Sequence, residues 1–302
     1  MSENVRLPDF LIIGTMKSGT TTLADYLSEH PRICIPAAEL QFFNNDANFA
    51  KGPLWYSQKL TDGCTRDDLA QAQVGEKTPT YSYDPKCLPR IKQLAPHVKL
   101  IWIFRNPVQR TYSNYLHRVK RGSELASFRS AVAKEKEARS RDIWRGYVER
   151  SKYVDQVERF LDSFPIEQMH FMLFEDLLTS RKEELDKVAG FLGLEPFATA
   201  PAALASNITS MPVSPVSLWL VRRLFGRVSL PFRLVHKVNY LYARDKPKMP
   251  RDLQEQLAVL FEPYNERLAQ LTGLDLSAWK SPAARKASGA EQHAGQPGRQ
   301  AS

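Results

Sequence analysis

The feature that most constrains this chain is its opening, where an apolar run, a glycine-bracketed turn and a helix-forming stretch follow one another. Phe10 to Ile13 reads Phe-Leu-Ile-Ile with no polar interruption, the pattern of a strand buried on both faces. Gly14 to Gly19 forms a turn, and Thr20 to Ser28 then carries Leu23 and Leu27 at helical spacing. His30-Pro31 ends that helix, because the residue before a proline avoids the helical region; His30 is read there as structural. Lys99 to Phe104 and Met169 to Phe174 repeat the strand pattern. Between them Tyr153, Val157, Phe160, Leu161 and Phe164 share one helical face, and Leu185, Val188, Ala189 and Leu192 share another that Gly193 caps. Alternating strands and helices predict an α/β fold, a P-loop-like doubly wound architecture with a central parallel sheet flanked by helices.

The rest of the chain fits one domain over 1–280. Ala200 to Pro215 is rich in Pro, Ala and Ser and reads as loop. Asp252 with Glu255 resembles a capping box ahead of Leu253, Leu257 and Leu260; Pro263 is expected to kink or break that helix and Gly273 to end it. Residues 281–302 are small, polar and interrupted by Gly and Pro, and are expected to be a disordered tail. Apolar residues make up 43% and charged residues 25% of the chain, which suits a soluble enzyme. No apolar run approaches the ~20 residues of a membrane span. The first residues, Met1 to Asp9, lack the apolar core of a secretory signal. Cys34, Cys64 and Cys87 have no metal-like spacing and are expected to be reduced, buried thiols of a cytoplasmic protein, with no metal site.

The turn after the first strand carries chemistry. Gly14-Thr15-Met16-Lys17-Ser18-Gly19-Thr20-Thr21-Thr22 places backbone N–H groups, a lysine and three consecutive threonines at a helix start, an arrangement that favours an anion. The nucleoside-triphosphatase loop needs its lysine directly after the last glycine; here Lys17 precedes Gly19 by two. A donor with one phosphate at this end and no metal fits better, against the plainer reading of a glycine turn with a solvated lysine. A second anion site is expected after Lys99–Phe104. Arg105 there can grip a phosphate bidentately, and Ser113, about two turns into the next helix, adds a hydroxyl. Two anion sites imply a nucleotide phosphorylated at both ends.

Net charge is +9, and most of it sits in one place. Between Val213 and Lys248 eight basic residues face a single acid, Asp245, so that segment alone is +7. Its cations alternate with large apolar residues, and Pro231 forbids one continuous helix. It is read either as a packed lid with solvated arginines or as a cationic, apolar surface for an anionic glycan or for peripheral contact with a membrane. Nucleic acid is not expected as a partner.

These residues resemble the PAPS-dependent sulfotransferases (PAPS being 3′-phosphoadenosine 5′-phosphosulfate). Lys17-Ser18-Gly19-Thr20 is similar to their 5′-phosphosulfate loop, and Arg105-Asn106-Pro107 with Ser113 to their 3′-phosphate motif. Glu39-Leu40-Gln41-Phe42-Phe43-Asn44, Lys51-Gly52 to Trp55-Tyr56, and Glu76-Lys77-Thr78-Pro79-Thr80-Tyr81 resemble the heparan-sulfate N- and O-sulfotransferase branch. The resemblance implies that Lys17, Ser18, Gly19, Thr20, Thr21 and Thr22 hold the 5′-phosphosulfate, and that Arg105 and Ser113 hold the 3′-phosphate. It implies Glu39 as general base, Lys17 as stabiliser of the leaving group and Lys77 beside the transferring sulfuryl group. The implied acceptor is a carbohydrate or glycolipid, and the implied product is adenosine 3′,5′-bisphosphate (PAP). One departure stands out: the Lys-Gly-Arg loop bracketed by cysteines, typical of that branch, is absent between Ser206 and Met249, where the basic segment lies. Two other classes remain open: a nucleotide-dependent kinase or phosphotransferase, and a non-catalytic module for acidic polymers.

Overall fold

The computed structural model describes residues 5–62, 64, 71–203, 211–241 and 243–281. The tail expected at 281–302 therefore lies, beyond Ser281, outside the described residues, as does 204–210 of the Ala200–Pro215 loop. In chain order the elements are β1 (Phe10–Gly14), α1 (Thr20–Leu27), β2 (Ile33–Cys34), α2 (Asp46–Phe49), α3 (Gly52–Asp62), β3 (Gln73–Lys77), α4 (Cys87–Leu94), β4 (Lys99–Phe104), α5 (Pro107–Lys120), α6 (Phe128–Ala133), α7 (Glu135–Arg141), α8 (Tyr153–Leu161), β5 (Met169–Leu173), α9 (Phe174–Thr179), α10 (Arg181–Leu192), α11 (Pro215–Phe225), α12 (Leu230–Leu241) and α13 (Arg251–Thr272). They fall into two compact units, one of residues 1–105 and 153–208, the other of 106–152 and 209–302.

The first unit holds the sheet, in the order β2-β3-β1-β4-β5 with every pairing parallel. The expected doubly wound parallel sheet is what forms. β1 is buried along its whole length and β4 from its second residue on, because helices cover both faces. On one face Phe10, Ile12, Ile101 and Ile103 pack with Leu23 and Leu27 of α1 and with Leu185, Val188, Ala189 and Leu192 of α10. On the other, Trp102 meets Phe160 edge-on with ring centroids 5.2 Å apart, and Phe104 meets Tyr153 at 5.1 Å. Gly193 closes α10 in the left-handed conformation, φ 78°, as read from sequence. His30 is structural, its Nε2 3.0 Å from the Glu195 carbonyl and its ring edge-on to Phe197.

Two strands carry no sequence signal. β2 is only two residues long. β3 reads Gln-Val-Gly-Glu-Lys, with one large apolar residue. Its glycine is required by packing: Phe10 lies across from Gly75, and a Cβ there would sit 2.1 Å from the Phe10 ring.

The second unit is helical. Val108, Tyr112 and Leu116 of α5 pack with Leu253, Leu257 and Phe261 of α13. Asn106 caps α5, its Oδ1 accepting from Val108 N–H at 3.1 Å and Gln109 N–H at 3.2 Å, and Pro107 takes the first turn, where its missing N–H costs nothing. Two expectations for α13 are corrected. Its N-cap is Pro250 with no side-chain cap, and Asp252 pairs instead with Arg129. The helix also continues through Pro263 instead of breaking there, and it ends at Gly273, φ 72°, as expected. Pro263 and Val259, whose carbonyl loses its helical partner, are both exposed, so water can satisfy the freed group.

The cysteine expectation is corrected for two of the three. Cys34, at the end of β2, is disulfide-bonded to Cys64, beyond α3, with Cα atoms 5.7 Å apart; Cys87 stays a buried free thiol whose pKa burial pushes up. Spacing could not reveal this pair, because a 30-residue separation brings the two together only through the unrecognised β2. Closing a loop of that size stabilises by about 3–4 kcal/mol in the chain-entropy treatment. Reduction is therefore expected to lower the denaturation midpoint, and the double variant Cys34→Ser/Cys64→Ser should lose its sensitivity to reductant in the same titration.

Candidate active site

In an open parallel sheet, ligands bind beyond the carboxyl ends of the strands, where strand order reverses. β1 is that point here: its neighbours are β3 on one side and β4 on the other. Three neighbouring strand ends deliver the loop after Gly14, Lys77 with Thr78, and Arg105.

The loop after β1 is held tightly. Thr15 N–H donates to the Ile103 carbonyl at 2.9 Å, and Thr15 Oγ1 lies 2.6 Å from Ser18 Oγ. Ser18 is fully buried, so its hydroxyl braces the loop from inside, and its backbone N–H donates to the Thr15 carbonyl at 3.1 Å. Lys17 takes a left-handed backbone, φ 75°, and Gly19 follows at φ 90° as N-cap of α1. Only glycine fits at 19, because a Cβ would sit 2.3 Å from the Phe174 ring. Beyond this cap the amides of the first turn of α1, Thr20 to Thr22, lack helical partners of their own and form the positive end of the helix dipole. Thr20 is buried, Thr21 exposed, and Lys17 and Thr22 half-buried.

Arg105 leaves β4 toward this loop. Its Nη1 is 3.5 Å from the Lys17 carbonyl, and its guanidinium lies 5.2 Å from the centre of the Phe174 ring, the same ring that packs on Gly19. Tyr153 Oη donates to the Arg105 carbonyl at 2.8 Å and fixes the backbone there. Burial pushes the Arg105 pKa down, opposed by the Glu175 carboxylate; starting from an arginine's high pKa it remains a cation. Ser113 lies on α5 in the second unit and is half-buried.

On the other flank, Lys77 is not a solvated lysine. It is 5% exposed, and its Nζ donates to Thr21 Oγ1 at 3.3 Å, joining the end of β3 to the start of α1. The residue before it organises the loop that carries Glu39. Glu76 is fully buried, and three hydroxyls donate to its carboxylate: Tyr56, Thr78 at 2.7 Å and Tyr81 at 2.6 Å. Two of those hydroxyls also accept backbone N–H groups from the 39–44 stretch, Phe42 to Tyr81 at 2.8 Å and Gln41 to Thr78 at 3.4 Å. Phe42 and Phe43 are completely buried, with Phe42 stacked on Tyr56 at 4.2 Å, so this stretch is anchored in the core as its sequence implies. Glu39 itself is exposed, yet close enough to Glu76 for the two carboxylates to repel; burial, with that repulsion added, holds the Glu76 pKa above its ordinary value despite the donors.

The structure thus brings together Lys17, Ser18, Gly19, Thr20, Thr21, Lys77 and Arg105, and it ties the Glu39 loop to the same strand end as Lys77. Sequence reasoning assigns no role to Glu76 or Tyr81. The available signal is an acid, two threonines and a tyrosine within six residues of a strand end that otherwise looks ordinary.

Similarity to known proteins identifies the family. A family model described as a sulfotransferase domain matches residues 7–209. The chain is 29% identical over 278 residues to heparan sulfate glucosamine 3-O-sulfotransferase 3B1 of Homo sapiens, covering 91% of this chain and 65% of that relative. It is 29% identical over 274 residues to the human 3A1 form, covering 89% and 62%. The chain therefore spans just under two thirds of the length of these curated relatives. The crystal structure of a sulfotransferase from Alicyclobacillus acidocaldarius superposes with a TM-score of 0.67 at 26% identity, covering 91% of this chain and 99% of that one. With its parallel sheet, the glycine-bracketed loop after β1 and a domain match over residues 7–209, this chain belongs to the sulfotransferase domain family.

Proposed function

We propose that the chain transfers a sulfuryl group from PAPS to a hydroxyl or amine of a carbohydrate or glycolipid acceptor. The observation that carries this reading is the convergence of the Gly14–Gly19 loop, Lys77 and Arg105 at the carboxyl ends of three adjacent strands, in a member of this family. The relatives named for sulfation of heparan sulfate glucosamine support a sugar acceptor.

Sulfuryl transfer is taken here, like phosphoryl transfer, as an in-line displacement through a charge-dispersed transition state, in which the protein positions the partners and stabilises charge. The acceptor oxygen or nitrogen attacks sulfur, the bond from sulfur to the 5′-phosphate oxygen breaks, and the acceptor proton passes to Glu39. Lys17 and the amides at the start of α1 stabilise the negative charge that builds on the leaving phosphate. Lys77, held at Thr21, lies beside the transferring group. Arg105 binds the 3′-phosphate.

Thermal shift and calorimetry test the donor assignment. PAP should raise the melting temperature without metal, since a ligand that binds only the folded state stabilises it. AMP should bind more weakly, and Arg105→Ala should cost PAP about tenfold or more, the equivalent of one hydrogen bond to a charged group. Equal binding of AMP and PAP would remove the 3′-phosphate assignment, and stabilisation by ATP with magnesium instead would favour a phosphotransferase. A transfer assay with radiolabelled PAPS across glycan, lipid and small-metabolite acceptors identifies the acceptor class.

A further inference from the structure

A surface helix ordinarily turns its apolar stripe inward. In the second unit, α11 and α12 also carry apolar stripes that face outward. Along α12, Leu230, Leu234, Val238 and Leu241 recur at helical spacing and are 66%, 56%, 57% and 67% exposed, while Phe232 and Asn239 form the buried side. Along α11, Val216, Trp219, Leu220 and Leu224 make a second exposed stripe, opposite the buried Leu218. Val228, in the turn between the helices, is 91% exposed.

This hairpin is built, not frayed. Asn239, buried, accepts from Ser214 N–H at 2.7 Å and donates to Ser217 Oγ at 3.0 Å, which locks α12 to the start of α11. Its inner side is tied to the end of α5 through Arg222 Nη1, donating to the Arg121 carbonyl at 3.1 Å, and Tyr240 Oη, donating to the Lys120 carbonyl at 3.3 Å.

Cations share the outward faces. Arg233 and Lys237 flank the α12 stripe, Arg223 lies within the α11 stripe, and Arg227 is in the turn; all four are exposed. That charge decides what can cover the apolar surface. A second copy of the chain would bring one +7 segment against another. The residues at 282–302 contain no apolar side chain larger than alanine or proline, so their composition offers no match for a row of leucines. A polyanionic glycan would pair with the cations and leave the leucines in water. Anionic headgroups above acyl chains satisfy both. No helix among the described residues is long and apolar enough to cross a membrane, so the geometry is that of helices lying in the interface.

We propose that the α11–α12 hairpin is a peripheral docking surface for an anionic lipid bilayer. The full chain is sedimented with vesicles of phosphatidylcholine alone and of phosphatidylcholine with phosphatidylserine. It should pellet with the second kind and far less with the first, and added salt should weaken the binding. Arg233→Gln/Lys237→Gln should reduce partitioning about fivefold per cation, roughly thirtyfold together. Leu234→Ser/Val238→Ser should abolish stable binding with both cations in place. Circular dichroism and PAP affinity should be unchanged in both variants, because all four side chains are exposed. Wild-type protein that stays in the supernatant with both vesicle types overturns the proposal. So does vesicle binding untouched by either variant, or a dimer that Leu234→Ser/Val238→Ser dissolves in the absence of any vesicle binding.

Discussion

Glu39→Gln is expected to lower turnover by about 10²–10⁴-fold, the usual effect of losing a general base, while PAP affinity stays at the wild-type level. The expectation follows from how the Glu39 loop is held. Phe42 and Phe43 are fully buried, and the Phe42 and Gln41 amides are bound by Tyr81 and Thr78, whose hydroxyls both donate to Glu76. The backbone near Glu39 is therefore fixed by bonds that do not involve its side chain, and glutamine at 39 should leave the loop where it is. Only basicity is removed. The neighbouring carboxylate of Glu76 cannot take over, because it is sealed from solvent and already accepts from three hydroxyls. Single-turnover assays with labelled PAPS, beside calorimetry with PAP, separate the two quantities. Near-normal turnover in the glutamine variant would place the base elsewhere.

The parts of this fold legible in sequence are those where local pattern and burial coincide. β1 and β4 are continuous apolar runs because both faces of a parallel sheet are covered, and the glycine turn read from Gly14 to Gly19 is where the chain passes from β1 into α1. β3 is illegible for the opposite reason. Its exposed-looking Glu76 and Lys77 are buried, one paid off by three hydroxyls and the other leaning on Thr21, and those partners lie up to 56 residues away in sequence. The Cys34–Cys64 bond was hidden by the same gap, since it depends on where β2 lies. In α13 the local rule was sound and the context overrode it: a proline in mid-helix is tolerable when the carbonyl it frees faces water. The basic segment shows a further limit. Sequence gave its charge and its apolar content, but only the structure tells which leucines point outward.

Lys17→Ala should show a different signature from Glu39→Gln, with turnover and donor binding damaged together. A donor aimed at developing charge contributes roughly 10²–10³-fold in rate, and a charge-assisted hydrogen bond in the bound donor adds about tenfold or more in affinity. Position 17 complicates the reading, because Lys17 sits at φ 75°, where any residue with a Cβ is disfavoured. Alanine keeps that backbone cost and removes the ammonium. Glycine at 17 removes both, since it adopts positive φ freely. If the ammonium matters, Lys17→Ala and Lys17→Gly should be equally impaired in PAP affinity and in single-turnover rate, and Lys17→Arg should recover part of the binding through its retained charge. If the loop conformation matters instead, the glycine variant should bind PAP nearly as well as wild type and the alanine variant should not. Recovery of both binding and rate in Lys17→Gly would remove Lys17 from the chemistry and leave the loop amides as the whole of the 5′-phosphate site.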